Sequence, residues 1–344
     1  MSVRIGIVGA GSSGIACAKR LAGYPDVEIT AVSDVTRPTR DALTKMVGAR
    51  LAVSDHRRLA ADPSVDIVCV CTPPSSHKTI AVDALTAGKH VIVEPPMAIT
   101  IEQADEMMEV AEKVDRRLFV AMSDRYDPVN QEMARIVEDG AIGYPYMVLG
   151  TYLENDLDRL NDWHDWLGTW DTGGGGILMQ RGSELIDLLT FCLGPVEAVG
   201  AVCTRFAVQS LNKAEDTAIL DLEYMEESSA QLAITGAGKF STWPREFTGS
   251  AMRLEIYGLE GAIRITSRTP RLTTVIKGQG RKEIEESEIS TDLPTDMYQD
   301  FLDSIRSGSE PLATTDQARE ALRVILAGYK ASQMKRRVET MENL

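Results

Sequence analysis

The chain has 344 residues, of which 44% are apolar and 25% are charged, and these values are typical of a globular protein with two domains. Its formal net charge of -15 argues against nucleic acid as a partner, because an acidic surface repels a phosphate backbone. No apolar run can span a membrane and no signal peptide precedes the first strand, so we expect a cytoplasmic protein without a membrane partner. The five cysteines lack the spacing of a metal site and suit buried thiols, so we expect no metal.

A β-branched run opens the chain, ends in the glycine-rich stretch GAGSSG, and is followed by a helical pattern. Gly9 permits a tight turn, Gly11 lets the backbone approach a pyrophosphate, and Gly14 lets helix and strand pack closely. The helix begins with Ser12 and Ser13, where free N–H groups and the positive end of the helix dipole attract phosphate. This order predicts a dinucleotide site.

The second strand, over 27–32, is followed by Asp34, which lies twenty residues after Gly14. An acid at this distance can accept hydrogen bonds from a ribose diol, and it repels a 2′-phosphate. We therefore predict NAD in preference to NADP, although Arg37 and Arg40 soften the preference. The alternative, a glycine-rich turn in an empty α/β domain, leaves the acid unexplained.

Strands and helices continue to alternate as far as residue 122. Near-continuous apolar strands separated by helices predict a parallel sheet covered on both faces, here a Rossmann domain over 1–122. Ligands bind beyond the carboxyl ends of such strands, so the loops that follow them should surround one crevice. The predicted elements are strands over 66–71, 90–93 and 117–122 and helices over 78–87 and 101–114.

The remainder, 123–344, changes character. Consecutive strands without helices between them predict an α+β domain with a large, mostly antiparallel open sheet. The predicted strands are 145–154, 196–206, 216–226, 229–237, 251–257, 262–267 and 272–277. The predicted helices are 129–138, 177–193 and a C-terminal one over about 315–334. The charged run 278–290 is expected to be a solvated hairpin or loop.

Seven segments, in this order, carry a resemblance to a known family: GIVGAGSSG (6–14), CTPPSSH (71–77), ALTAGKHVIVEPPMA (84–98), SDRYDP (123–128), GGGGILMQRGSELIDLL (173–189), AEDTA (214–218) and FLDSIRSGSEPLATTDQA (301–318). Together they resemble the Gfo/Idh/MocA family of glucose–fructose oxidoreductase and inositol dehydrogenase. The resemblance implies NAD(P)-linked oxidation of a sugar, cyclitol or amino-sugar-like molecule. It also implies a homodimer or homotetramer formed through the sheet of the second domain.

The resemblance further implies two loops at the cofactor. Thr72, Pro73 and His77 lie in one loop, and Glu94 and Pro95 lie in the corner after the next strand. In the family the histidine is more often positional than catalytic, and the acid of the corner has a structural role.

Two departures from the family concern its chemistry. Pro95 occupies the position where the family usually has a catalytic lysine. Gln180, Glu184 and Asp187 stand where the family usually has Asp, His and Asp, so only the last matches. Spacings of four and three keep these side chains on one helical face. The polar face of this helix is therefore kept. Its usual chemistry is not, because neither Pro95 nor Gln180 can act as a base at neutral pH.

Glu184 is the leading candidate for proton transfer, since a partly desolvated carboxylate beside a nicotinamide has a raised pKa. The alternative is a structural ion pair with Arg181 or Arg125. His164 and Tyr126 are the further catalytic candidates.

Four residues are candidates for substrate binding. Gln180 is suited to binding a hydroxyl or amide of the substrate, and the alternative is a packing role. Arg125 is suited to binding a carboxylate or hydroxyl of the substrate, and the alternative is a surface role. Asp187 either binds substrate or orients its neighbours. Trp166 lies in the polar-aromatic segment 161–166, which suits a wall or lid over a sugar.

Three functions remain open from the sequence. The first is an NAD-dependent oxidoreductase with relocated acid–base residues. The second is a non-redox enzyme, such as a lyase or hydrolase, that holds NAD tightly. The third is a catalytically silent regulator that binds the dinucleotide.

Overall fold

The chain forms two compact units. A computed structural model describes residues 2–162, 165–207, 214–225, 228–238, 251–266 and 271–341. The first unit comprises the chain up to Met122 together with Tyr298–Arg319, and the second comprises the remainder. The sequence placed 298–319 in the second domain. The structure places it in the first because the buried ring of Phe301 stacks on Phe119 there, with centroids 4.6 Å apart.

The helices and strands have the following bounds. The helices are α1 (Ser12–Leu21), α2 (Arg37–Val47), α3 (His56–Ala60), α4 (His77–Thr86), α5 (Ile101–Lys113), α6 (Pro128–Glu138), α7 (Leu157–Asn161), α8 (Trp170–Gly173), α9 (Ile177–Leu193), α10 (Met297–Ser307) and α11 (Thr315–Met334). The strands are β1 (Val3–Val8), β2 (Val27–Ser33), β3 (Leu51–Val53), β4 (Ile67–Val70), β5 (His90–Val93), β6 (Leu118–Val120), β7 (Pro145–Leu153), β8 (Val196–Thr204), β9 (Thr217–Tyr224), β10 (Ser229–Thr235), β11 (Ala251–Gly258), β12 (Gly261–Thr266), β13 (Leu272–Ile276), β14 (Gly280–Ile284) and β15 (Val338–Glu339).

The first unit is built on a parallel six-stranded sheet in the order β3-β2-β1-β4-β5-β6, which confirms the Rossmann fold. Chain order reverses between β1 and β4, and the carboxyl ends of these strands are the expected place for a ligand. The sequence did not predict α2, β3 or α3. Helix α2 buries only Leu43 among its residues, so its apolar stripe is too narrow to stand out.

The second unit is built on a nine-stranded sheet in the order β14-β13-β12-β11-β7-β10-β9-β8-β15. It is mostly antiparallel, as predicted, but β7 and β10 pair in parallel. Burial alternates along the strands, so that Leu220, Leu222, Leu232 and Ile234 are all fully buried. The charged run 278–290 contributes β14, which forms a hairpin with β13.

Helix α9 is largely buried, and it packs against β9 and β10. Among the residues that the structure describes, no helix is long and apolar enough to cross a membrane.

Candidate functional site

The glycine turn after β1 is closely packed at both ends. Gly9 has a φ of +99°, and a Cβ there would lie 2.4 Å from the carbonyl oxygen of Cys71. A Cβ on Gly14 would lie 1.9 Å from the carbonyl oxygen of Gly9. Either side chain would therefore force the backbone apart.

The middle of the same turn is open. A Cβ on Gly11 would meet nothing within 4 Å, and Gly11, Ser12 and Ser13 are all exposed. Gly11 is the N-cap of α1 and has no side chain to accept a hydrogen bond from the first-turn N–H groups. Open space over unsatisfied N–H groups is the geometry that binds a pyrophosphate.

Asp34 is held in place by the backbone. Its carboxylate accepts hydrogen bonds from the N–H of Ala10 and of Thr36, both at 2.7 Å. Arg40 donates to the backbone oxygen of Asp34, while Arg37 is largely exposed beside a different carboxylate. A fixed carboxylate at this place favours a ribose diol over a 2′-phosphate.

His77 ties the two predicted cofactor loops together. Its ring is buried, with Nδ1 at 3.0 Å from the carbonyl oxygen of Pro96 and Nε2 at 2.7 Å from that of Thr72. Burial lowers the pKa of this imidazole. The side chain is thus occupied in joining the loop after β4 to the corner after β5, which supports a positional role.

The corner itself contains Glu94 and Pro95, both partly exposed, and the peptide bond between Pro95 and Pro96 is cis. Thr72 accepts a hydrogen bond from Ser76 at 2.7 Å, and Pro73 is partly exposed beside it. The open glycine turn and the fixed Asp34 together fit NAD. When bound, the cofactor supplies the acceptor for a hydride.

In the second unit, helix α9 is fixed at its N-terminus by two residues that were not among the sequence candidates. The buried carboxylate of Glu215 accepts hydrogen bonds from the N–H of Gly176 and of Leu178, both at 2.9 Å. The hydroxyl of Tyr329 donates to Glu215 at 2.8 Å and accepts from the N–H of Met179 at 3.1 Å. Burial raises the pKa of Glu215 to about 6. The segment AEDTA was the sequence signal for Glu215.

Arg125 and Asp187 form a buried ion pair. Arg125 lies in the 3-10 turn Ser123–Tyr126, and its Nε and Nη2 donate to the two carboxylate oxygens at 2.6 and 2.9 Å. Both side chains are only 1% exposed. The sequence offered both as substrate-binding residues. Because the two charges pair with each other away from solvent, the geometry favours a role in holding the turn against α9.

Glu184 lies one helical turn before Asp187 and keeps an opening to solvent. Its Oε1 accepts a hydrogen bond from the Ser123 hydroxyl at 3.2 Å. Arg181 pairs with Glu154, and Arg125 pairs with Asp187, so neither of the two arginines considered from the sequence forms an ion pair with Glu184. Close packing around the carboxyl and the charge of Asp124 raise its pKa to about 7.

Asp124 is a functional candidate that the sequence did not single out. Burial and the negative charges of Asp127 and Asp187 raise the pKa of Asp124 to about 6. The positive charges of Arg181 and Arg271 lower this pKa, but their effect is smaller. Its position between Ser123 and Arg125 was the only signal in the sequence.

Gln180 lies one turn before Glu184 and carries a buried Oε1 atom that has no hydrogen-bond partner among the described residues. A buried acceptor without a partner costs free energy, so a ligand that donates a hydrogen bond would be favoured there.

The remaining candidates are Tyr126, Trp166 and His164. Tyr126 is buried, with 4% of its surface exposed. Trp166 packs on a small apolar cluster of Leu157, Leu160 and Leu167, so packing accounts for its partial burial. His164 lies outside the described residues.

The comparisons with known proteins agree with this layout. Two models of the GFO_IDH_MocA family match the chain: "Oxidoreductase family, NAD-binding Rossmann fold" over residues 3–122 and "Oxidoreductase family, C-terminal alpha/beta domain" over residues 134–340.

Two relatives match along their whole length. The myo-inositol 2-dehydrogenase of Thermotoga maritima is 27% identical, with 99% of each chain covered. The inositol 2-dehydrogenase of Rhizobium meliloti is 24% identical, with 98% of this chain and 99% of the relative covered. Among solved structures, levoglucosan dehydrogenase in complex with NADH shares the fold, with a TM-score of 0.89, 20% identity and complete coverage of both chains. The chain therefore belongs to the Gfo/Idh/MocA family of NAD-dependent oxidoreductases.

Proposed function

We propose that the protein oxidises a hydroxyl group of a sugar or cyclitol, with NAD as the hydride acceptor and Glu184 as the group that receives the hydroxyl proton. Similarity over the full length to two inositol dehydrogenases supports the substrate class. The position of Glu184 carries the assignment of the proton acceptor: its carboxyl keeps an opening to solvent on α9, is bonded by the Ser123 hydroxyl, and has no ion pair with Arg181 or Arg125. Its raised pKa, about 7, agrees with this role.

The reaction needs a proton acceptor because the alcohol loses a hydride from carbon and a proton from oxygen. A positioned base contributes about 10²–10⁴-fold to the rate, and it works best when its pKa lies near the working pH. Pro95 has no titratable group. A carboxyl on α9 with a pKa near 7 is deprotonated in a large fraction of molecules at neutral pH, so Glu184 meets the requirement.

Gln180 supports a polyhydroxylated substrate. Its Oε1 is buried and has no partner within the described residues, so it can accept a hydrogen bond from a second hydroxyl of the substrate. The spacing of four along α9 puts Gln180 and Glu184 on the same face. One residue would then orient the substrate while the other receives the proton.

The test follows reduced nicotinamide by its near-ultraviolet absorbance, with NAD and a panel of cyclitols, aldoses and anhydrosugars. The wild-type protein should reduce NAD with at least one member of the panel. E184Q should lower kcat by about 10²-fold or more and leave NADH affinity unchanged, because it removes only the base.

The matched control is E138Q, which makes the same chemical change on the exposed end of α6 and should keep full activity. Turnover by E184Q at the wild-type rate would remove Glu184 from the reaction. A flat trace with every compound, with NAD bound, would contradict the proposed activity.

We also infer that copies of the chain associate through the outer face of the nine-stranded sheet. Apolar side chains are exposed on this face, with exposed fractions of 37% for Leu149, 44% for Ile219 and 58% for Val202. Val202 on β8 lies opposite Ile219 on β9. I219K should lower the mass observed by sedimentation velocity. An unchanged mass, or a monomeric wild type, would contradict this.

All five cysteines are free thiols. This state supports a reducing compartment such as the cytoplasm for the protein.

A further inference from the structure

We propose that Glu215 is a positioning residue for the proposed reaction. Its carboxylate is an internal anion that, together with the Tyr329 hydroxyl, sets the place and the rotation of α9 and thereby of Gln180 and Glu184. The effect on turnover rests on the proposed function, whereas the internal anion can be tested without any turnover.

The start of α9 carries N–H groups that have no partner inside the helix and need acceptors from elsewhere in the protein. Glu215 supplies three of these acceptors. Its two carboxylate oxygens accept from the N–H of Gly176 and of Leu178, both at 2.9 Å. Its backbone oxygen accepts from the N–H of Ile177 at 3.1 Å. One residue therefore satisfies three successive N–H groups.

The Tyr329 hydroxyl satisfies the N–H group that follows. It accepts from Met179 at 3.1 Å and from Gly176 at 3.3 Å, and it donates its own hydrogen to Glu215 at 2.8 Å. The next N–H, of Gln180, bonds to the Gly176 carbonyl at 3.2 Å and begins the hydrogen bonds of the helix itself. Glu215 and Tyr329 together thus complete the hydrogen bonding of this helix end.

Glu215 is ionised in this arrangement. The side chain is buried, with 4% exposure, and within the described residues its carboxylate meets only N–H and O–H donors and no cationic side chain. Donors alone suit a carboxylate, because a protonated acid would need an acceptor for its own hydrogen. The positive end of the α9 dipole takes the place of a counter-ion. A pKa raised by burial to about 6 still leaves the group ionised at neutral pH.

The glycine tract before α9 fits the same interpretation. A Cβ on Gly176 would lie 2.0 Å from the backbone oxygen of Glu215, and a Cβ on Gly175 would lie 2.0 Å from the Tyr329 hydroxyl. Both positions must therefore be glycine for the two fastening residues to approach the helix end. Contacts inside the protein account for this part of the tract.

The fastened end determines where the polar face of α9 points. Successive helical residues are about 100° apart around the axis, so a shift of the helix by one residue would turn that face away. Gln180 lies four residues after Gly176, and Glu184 lies four residues further. Beyond them, Asp187 is held by Arg125 at 2.6 and 2.9 Å. The two residues assigned to the substrate thus lie between two fastened points.

The first test needs no turnover. E215G removes the carboxylate and frees the N–H groups, and formate is a carboxylate small enough to replace it. Excess sodium formate, compared with sodium chloride at the same concentration, should raise the melting temperature of E215G and leave that of the wild type unchanged. Formamide, a neutral molecule of the same shape, should have no effect. No response of E215G to formate, or an equal response to formamide, would overturn the internal anion.

The second test separates positioning from folding, at a temperature where every variant is fully folded. E215Q replaces one acceptor oxygen with an NH2 group that faces an N–H donor. Its kcat for NAD reduction should fall by about tenfold to 10²-fold, because a misplacement of about 1 Å can cost 10²-fold in rate. Its affinity for NADH, measured by fluorescence, should stay unchanged.

Three comparisons accompany E215Q. Formate should raise the kcat of E215G by about tenfold or more, and formamide should not. E138Q, the same change on the exposed end of α6, should keep the wild-type kcat. A merely structural role for Glu215 would leave kcat per folded molecule unchanged in E215Q.

If neither variant of Glu215 folds, Y329F remains. It removes only the hydroxyl and leaves the Met179 N–H without its acceptor, so kcat should fall by about threefold to tenfold. A wild-type kcat in Y329F or in folded E215Q would overturn the positioning role and leave the proposed function intact. A wild-type protein that reduces NAD with no compound would instead remove the proposed function, and the response of E215G to formate would still decide the internal anion.

Discussion

The guanidinium of Arg125 and the carboxylate of Asp187 meet through two hydrogen bonds of 2.6 and 2.9 Å, and each side chain is 99% shielded from solvent. Such a pair is poor evidence of extra stability, since both ions lost their hydration on folding. It is good evidence of a fixed position. The turn that carries Ser123 and Asp124 cannot shift along α9 without breaking it.

Removing one member of this pair should be costly. D187N keeps the shape of the side chain but leaves the Arg125 charge buried without its partner, so we expect a loss of about 3–5 kcal/mol in the free energy of unfolding. Urea unfolding followed by tryptophan fluorescence measures it, and the two described tryptophans, Trp166 and Trp170, belong to the second unit.

The control for this prediction is R125L/D187L, which removes both charges. It should be more stable than D187N, because a neutral apolar pair leaves no buried ion. A D187N protein as stable as wild type would contradict the buried pair.

The stability difference between wild type and E184Q should depend on pH. The pKa of Glu184 is raised in the folded state, so its contribution to stability is fully present below pH 4.5 and is lost as pH rises through about 7. The advantage of wild type over E184Q should therefore shrink by roughly 1–2 kcal/mol between pH 5 and 8, after allowance for the partial exposure of the carboxyl. His77, whose lowered pKa acts in the opposite sense, is common to both proteins and cancels.

Two glycine substitutions should separate cofactor binding from folding. G11A places a methyl group in open space, so thermal stability should be unchanged while NADH affinity falls about tenfold or more. G14A drives a methyl group against the Gly9 carbonyl oxygen, so it should lower the melting temperature. Fluorescence titration with NADH and thermal unfolding of both variants provide the measurements. Equal effects of the two variants on stability would contradict this division.

Asp34 should control the choice between NAD and NADP. D34N removes the negative charge and one of the two oxygens that accept hydrogen bonds from the N–H groups of Ala10 and Thr36, so the preference for NAD over NADP in kcat/KM should fall by about tenfold or more. E109Q, which neutralises an exposed acid of α5, should not change the ratio.

Gln180 should affect substrate binding and not folding. Q180L removes a buried acceptor that lacks a partner within the described chain, so stability should stay the same or rise by up to about 1 kcal/mol. The KM for substrate should rise by roughly threefold to tenfold, corresponding to one neutral hydrogen bond. A loss of stability with unchanged KM would assign Gln180 to packing.

The sequence predicted those parts of the fold that depend on local periodicity. The alternation of apolar runs and helical stripes located β1, β4, β5 and the long helix α9. The sequence did not place α10 in the first unit. The contact of Phe301 with Phe119 joins residues 182 positions apart, and a contact between such distant residues does not appear in the local periodicity of the sequence. The parallel pairing of β7 with β10 was missed for the same reason.

For the candidate site, the sequence identified the chemistry-bearing face of α9 but not its partners. Glu184 stood out because it replaces a family residue at a fixed spacing. Asp124 did not, since its significance depends on Ser123 and Arg125 being joined to α9. Arg125 looked available for substrate because an arginine in a loop is usually exposed, and only the structure reveals its burial.

The hydroxyl of Tyr329 joins the N-terminus of α9 from a position 153 residues further along the chain than Gly176. During synthesis, the helix that carries Gln180 and Glu184 leaves the ribosome long before this hydroxyl does. A contact of such high sequence separation forms late, because the intervening loop must close first. A nascent chain that has already released Gln180 and Glu184 should therefore still lack an ordered site until Tyr329 emerges.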